Sequence, residues 1–333
     1  MTKSLYIPFH KFRYLGGPSS FMMNLKDYLD KAEYKYSRFF FGAKGIFFPM
    51  GYRPAKLWIA KRLGMKVIQR LDGVYYPSQH GENYYKFNEL QLKTYNNYSD
   101  FIVFQSEYSK KQVFEMFGEI PQNKYEIIHN GVDKNYFYPS ANKLKKSNNI
   151  KFIVAGAFRK KAMIEPIVLA LDKLKNKFDF ELLAVGPINL KEIEIYFKRD
   201  YVNWVGAKSK NEIADLYRES DILLHTQIND NCPNIVLEAI STGLPVVGFD
   251  SGSMSELCHF SKDLLAYVSD EVFQKYEDFD YNKLAEKIEL AVDNYGKYRE
   301  IALNNANLYD FEECGKRYID VFDKVLEIQD GFG

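Results

Sequence analysis

The 333-residue chain predicts an α/β fold made of two doubly wound units, each with a parallel sheet. Three observations lead there. Short apolar runs alternate with helical stretches from one end to the other. Several of those runs stop at a Gly or Pro, as a strand end entering a ligand-side loop does. The length also suffices for two cores of ordinary size.

In the first half, residues 5–8, 39–41, 45–49, 65–70, 101–105 and 126–129 read as strands. The second half offers 151–156, 180–186, 203–206, 222–225, 245–249 and 264–268. Around residues 135–149, Pro139, Ser140 and a Lys/Asn-rich run break the periodicity, which predicts a linker. The domains are therefore expected at 1–140 and 150–310. Amphipathic helices follow at 281–294 and 311–328. On the last, Phe311, Tyr318, Val321, Phe322 and Val325 form one apolar stripe of the kind that packs into a core.

Charge is uneven although the net is +1. Residues 1–145 hold 22 of the 45 Lys and Arg but only 12 of the 44 Asp and Glu. A basic half joined to an acidic one suggests different partners for each, anionic lipid, a phosphate-bearing acceptor or nucleic acid for the first; the bland reading is a scattered, solvated surface. The stretch 52–63 is basic and carries Trp58, so it reads either as a helix lying on a membrane or as an ordinary domain helix with Trp58 in the core. The core reading is preferred. No apolar run nears the ~20 residues a membrane span needs. Three cysteines, Cys232, Cys258 and Cys314, lack metal-ligand spacing and suit a reduced, cytoplasmic setting as buried free thiols.

The most informative segment runs from Asp230 to Gly248. Between Cys232 and Phe249 the only formal charge is Glu238, set among Ile235, Val236, Leu237, Ala239 and Ile240. Pro233 suits a first helical turn, Gly243 the position past the end, and Pro245 blocks continuation. A lone carboxylate on so apolar a helix must find donors or lose its charge, and sugar hydroxyls are good donors. Asp230 lies in a polar loop entering the helix start, where backbone N–H groups and the dipole favour an anion such as a diphosphate. Together these features point to a nucleotide-sugar site.

The ordered motifs are similar to those of retaining glycosyltransferases of the family 4 type (GT4). Gly16-Gly17-Pro18-Ser19-Ser20-Phe21 resembles its N-terminal glycine loop, and Tyr98 to Ser106 its "aD-x-v-i-x-x-S" segment. Asn130-Gly131-Val132-Asp133, followed by Tyr136-Phe137-Tyr138-Pro139, resembles its domain exit. Asp230 and Glu238 fit E-x7-E with Asp first. Gly243 to Val247 and Ser251 to Glu256 continue that block. The resemblance implies a GT-B fold, two Rossmann-like domains facing a central cleft, with the final helix packing back on the first domain.

It also implies residue roles. Glu238 would hold the ribose of a nucleoside diphosphate donor, and Asp230 hydroxyls of the transferred sugar. Asn231, Cys232, Pro233 and Asn234 would offer backbone contacts to sugar and diphosphate. Glu256 would lie near the nucleotide or cap a surface helix. The family's basic pair aligns with Gly156-Ala157-Phe158-Arg159-Lys160-Lys161, so Arg159 and Lys161 are assigned to the leaving diphosphate, with Lys160 beside them. Gly16, Gly17 and Gly186 complete the donor-binding set. Asp72 stands where the family places a His, either hydrogen-bonding the sugar or capping the next turn. His80 is a fallback for the missing imidazole.

The implied reaction moves a hexose-type sugar, UDP favoured, to a glycan or lipid-linked acceptor without a metal; the expected place is the cytoplasm, with a peripheral position at the inner face of the membrane as the alternative. Rival readings are another GT-B enzyme, such as an epimerase or phosphorylase, or a basic nucleic-acid-binding protein. Asp278-Phe279-Asp280 spells D-x-D but precedes a helix, where Asp is a favoured cap. His10, His129, His225 and His259 lie apart, and no cluster with cysteine supports zinc.

Overall fold

The computed structural model describes residues 4–12, 17–140, 149–273 and 279–327. The chain divides into two compact units. Unit 1 takes the chain up to Gly131 and again from Phe311, with Phe273 from between; unit 2 takes Val132 to Val272 and the stretch ending at Asp310.

Unit 1 contains β1 (Leu5–Tyr6), β2 (Tyr36–Ser37), β3 (Gly45–Pro49), β4 (Lys66–Leu71), β5 (Phe101–Phe104) and β6 (Tyr125–Ile127). They form one sheet in the order β2-β1-β3-β4-β5-β6, with every pairing parallel. β3 and β5 are buried throughout and β4 all but at its first residue, which is why they read as apolar runs. Gln69 on β4 is buried yet satisfied, donating to the Met50 carbonyl at 2.8 Å and accepting from Ser99 Oγ at 2.8 Å.

Unit 2 contains β7 (Ile150–Ala155), β8 (Phe180–Val185), β9 (Val202–Gly206), β10 (Ile222–His225), β11 (Val246–Asp250) and β12 (Leu265–Tyr267). Their order is β12-β11-β10-β7-β8-β9, again all parallel. Strand order therefore reverses between β1 and β3 in unit 1 and between β7 and β10 in unit 2. In open parallel sheets, ligands bind outside the carboxyl ends of the strands at such a reversal.

The helix Phe311–Glu327 carries its expected stripe into the unit 1 core, beside Phe21, Leu25 and Phe47. Gly315 in its middle lies against the helix Gly17–Lys31, where a Cβ would stand 2.3 Å from the Tyr28 ring. That close approach explains a residue with poor helix propensity.

Two expectations are corrected. Residues 39–41 are not a strand: the short strand is Tyr36–Ser37. Ser37 Oγ then accepts from the Phe39 N–H at 3.1 Å and donates to the Phe39 carbonyl at 2.7 Å, bending the chain away. Phe39 and Phe41 are left 77% and 73% exposed. Trp58, expected in the core, is 52% exposed on the helix Pro54–Arg62, whose buried side is Leu57 and Ala60.

Candidate active site

The reversal in unit 2 brings together the loop after β7 and the loop after β10. Thr226 Oγ1 donates to the Ala162 carbonyl at 2.6 Å and fastens one to the other. Gly156 and Gly186 have φ of +139° and +132°. A Cβ on Gly186 would stand 1.9 Å from the Gly156 oxygen, so the ends of β7 and β8 can abut only as glycines. Gly186 thus acts on the loop through its backbone.

Asp230 is held by backbone on both sides. Asn229 before it adopts a left-handed φ of +56°, and its N–H donates to Ser251 Oγ at 3.0 Å. Gly252, with φ +66°, passes so close that a Cβ would meet the Asp230 oxygen at 2.3 Å. The Ser253 N–H donates to that same oxygen at 2.9 Å. The carboxylate itself accepts from Gln227 Nε2 at 2.7 Å and from the backbone N–H groups of Cys232 and Asn231. Burial pushes Asp230 up to about 6, against the pull of Cys232, Lys160 and Asn231. Lys160 shows the mirror effect: burial lowers it to about 8 while Asp230 opposes. Two desolvated opposite charges face one another here, one suited to polyol hydroxyls and the other to phosphate oxygens.

Pro233 precedes the helix Asn234–Ser241, whose first turn holds no acid. Val236, Leu237, Ala239, Ile240 and Ser241 turn inward, leaving Glu238 half-buried. Tyr217 Oη lies 3.5 Å from Glu238 Oε2, and burial pushes the carboxyl up to about 7, countered chiefly by Lys210. An acceptor oxygen with only a long bond retains capacity for hydroxyl donors.

Arg159 and Lys161 are exposed, and Lys161 pairs with Glu165 at 3.7 Å, so Lys160 is the member of the basic trio brought to Asp230. Glu256 lies in the first turn of the short helix Met254–Leu257, directly after the Gly252 crossing. Gly17 opens the helix Gly17–Lys31 in unit 1; Gly16 lies outside the described residues.

Asp72 directly follows β4 and joins a buried network of unit 1. It pairs with Arg70, whose guanidinium lies 3.6 Å from the centre of the Phe21 ring. Gln105 Nε2 donates to Asp72 Oδ1 at 2.5 Å, and Arg70 Nη2 donates to Asn130 Oδ1 at 2.8 Å. Asp72 Oδ2 is buried and has no hydrogen-bond partner among the described residues, so one oxygen remains to accept a hydroxyl. His80 is engaged locally, with Nδ1 3.1 Å from the Tyr76 N–H and its ring against Tyr75, Tyr76 and Phe87.

Asp280 caps the helix Tyr281–Asp293 by accepting from the Asn282 N–H at 3.0 Å, while Asp278 lies outside the described residues. The three cysteines are buried and are not joined in disulfides among the described residues. Among the described residues, no three His, Cys, Asp or Glu gather to hold a metal, and no helix is long and apolar enough to cross a membrane. Gln227, Tyr217 and Lys210 were not anticipated. They reach the site from other elements, and only Gln227, three positions before Asp230, was near enough in sequence to be found.

The glycosyl transferases group 1 family model matches residues 139–308. A probable sucrose-phosphate synthase of Thermosipho melanesiensis is 26% identical over 232 residues, 66% of this chain and 52% of the relative. An N-acetyl-alpha-D-glucosaminyl L-malate synthase of Bacillus anthracis is 26% identical over 162 residues, 45% of this chain and 42% of the relative. The chain therefore spans about half the length of these curated relatives. Among solved structures, Anabaena HepE in complex with UDP-glucose aligns with TM-score 0.69 at 15% identity, over 97% of this chain and 99% of that one. WaaG, a glycosyltransferase involved in lipopolysaccharide biosynthesis, aligns with TM-score 0.65 at 14% identity, over 96% and 99%. The fold is GT-B, and with half of its length matched by the family model the chain belongs to the glycosyl transferases group 1 family.

Proposed function

We propose that this chain transfers a hexose-type sugar from a nucleoside diphosphate donor, UDP favoured, to a hydroxyl of a glycan or lipid-linked acceptor. Retention at the anomeric carbon and independence of metal belong to the same proposal. The observation that carries it is the desolvated Asp230–Lys160 pair at the strand-order reversal of unit 2, with the buried-side carboxyl of Glu238 on the helix that leaves the same loop.

In this reading residues 150–310 bind the donor and residues 1–140, with the last helix, receive the acceptor. Glu238 accepts hydrogen bonds from the ribose, and Asp230 accepts from the sugar. The N–H groups of 231–234, with Glu256 nearby, face the diphosphate and nucleotide. As the glycosidic bond breaks, its electron pair goes to the diphosphate oxygen. Lys160, with Arg159 and Lys161 on the same loop, stabilises that charge more in the transition state than in the ground state. Asp72 presents its unpaired oxygen to a sugar hydroxyl or to developing positive charge.

UDP is favoured because the similar Anabaena protein carries UDP-glucose. Surface polysaccharide or glycan synthesis is the setting suggested by the likeness to WaaG. A peripheral site at the cytoplasmic face of the membrane fits the basic first half, and it fits Trp58, whose ring carries Arg62 at 4.6 Å.

The test is to incubate the full chain with UDP-glucose and UDP-N-acetylglucosamine, with and without a glycan acceptor, and follow UDP. Acceptor-dependent UDP release is expected. Isomerised donor without UDP release would mean an epimerase, and phosphate-dependent glycan cleavage a phosphorylase.

A further inference from the structure

Unit 1 has its own strand-order reversal, between β1 and β3, and a cavity opens there. It measures about 460 Å³ and includes Lys11 and Phe12 from the loop after β1, Tyr52 and Arg53 from the turn after β3, and Leu90. The turn is strained: Met50 adopts a left-handed φ of +60° as the chain leaves β3. A Cβ on Gly51 would stand 2.7 Å from Leu90 Cγ, so the turn sits tightly against that wall.

Two exposed cations, Lys11 and Arg53, meet at the mouth of this cavity, with no carboxylate among its described lining residues. Lys11 Nζ donates to Tyr52 Oη at 3.1 Å and lies 4.3 Å from the centre of the Tyr52 ring. Burial lowers Lys11 from its ordinary value, opposed by Tyr6 and helped to a smaller degree by neighbouring Arg53. Elsewhere in the unit, cations find acids, as Lys61 does with Asp100 at 2.7 Å. Here neither Lys11 nor Arg53 has an acidic partner among the described residues. The helix Pro54–Arg62 begins at the same wall, with no acid in its first turn. Like charges held together at a cavity mouth are relieved by an anion entering between them.

We propose that this cavity is an acceptor pocket selective for a sugar bearing an oxyanion, a phosphate ester or a carboxylate, held between Lys11 and Arg53. Phe12 and Leu90 supply the apolar walls for the ring that carries the acid. The inference rests on the transferase reading above and narrows its acceptor class.

The experiment titrates the full chain by calorimetry with glucose, glucose 6-phosphate, glucuronate and inorganic phosphate, alongside UDP. Glucose 6-phosphate or glucuronate should bind at least about tenfold more tightly than glucose at low salt, because two charge-assisted contacts are added. That margin should shrink as salt rises. The two acidic sugars compared with each other tell phosphate from carboxylate. In Lys11→Met/Arg53→Met the preference should vanish while UDP affinity stays, and in Lys11→Arg/Arg53→Lys it should largely return. Equal binding of neutral and acidic sugars, no binding of any of them, or a preference that survives the double methionine variant overturns the proposal. Failure of the transferase reading registers separately, as absent UDP binding.

Discussion

At the scale of the residue, Glu238 and Lys160 make the sharpest claims. Burial raises Glu238 to about 7 from an ordinary glutamate value, so the folded state favours its protonated form. That contribution to stability is fully present below the unfolded value and is lost as pH rises through about 7. Without ligand, Glu238→Gln should therefore be more stable than the parent at pH 8, by about 1–3 kcal/mol after discounting for partial exposure, and equal to it near pH 4. Urea unfolding at the two pH values checks this. Donor affinity should run the other way, falling from pH 8 to pH 6 as the carboxylate loses its charge. For Lys160, the prediction is kinetic. Lys160→Met should lower kcat by about a hundredfold, as loss of one preorganised charge at a developing anion does. The acceptor KM should change little. A larger loss in Lys161→Met would shift the role to the partner of Glu165.

At the scale of the element, the proposed donor site depends on loops fixed by backbone contact. Gly252→Ala places a methyl against the Asp230 backbone at a left-handed φ. It should cost about 2–4 kcal/mol and raise the donor KM, measured by thermal unfolding and steady-state kinetics. Gly296, in the helix Tyr295–Asn304, has open space where its Cβ would be, and Gly296→Ala should be neutral or stabilising by up to ~1 kcal/mol. The site helix was legible because Pro233, Gly243 and Pro245 mark its ends and Glu238 is a single charge in apolar sequence. Lys160 was harder to single out, since three adjacent cations give no local sign of which one turns inward. Tyr217 and Lys210 were invisible because they belong to another helix that only the fold brings near. Residues 39–41 misled because three aromatics in a row read as a strand while the hydroxyl of Ser37 decides the turn. Trp58 misled because an indole on a helix usually packs, and here Leu57 and Ala60 already fill the inward face.

At the scale of the whole molecule, two sheets of parallel strands each reverse their order once, and each reversal holds a chemically distinct loop pair. The acidic residues with a desolvated lysine lie in unit 2, and Lys11 and Arg53, which have no acidic partner among the described residues, lie in unit 1. The exposed aromatics of unit 1 extend this division to the surface. Trp58→Ala should weaken binding to vesicles containing anionic lipid at least about threefold without altering UDP affinity, as sedimentation with 30% phosphatidylglycerol vesicles reads out. All of it depends on unit 2 recognising an activated sugar through Glu238. Calorimetric titration of UDP-glucose into the full chain and into Glu238→Ala tests that most directly. The account predicts saturable binding to the parent at pH 8 and a loss of at least about tenfold in the variant. Equal affinity in the two proteins would contradict it.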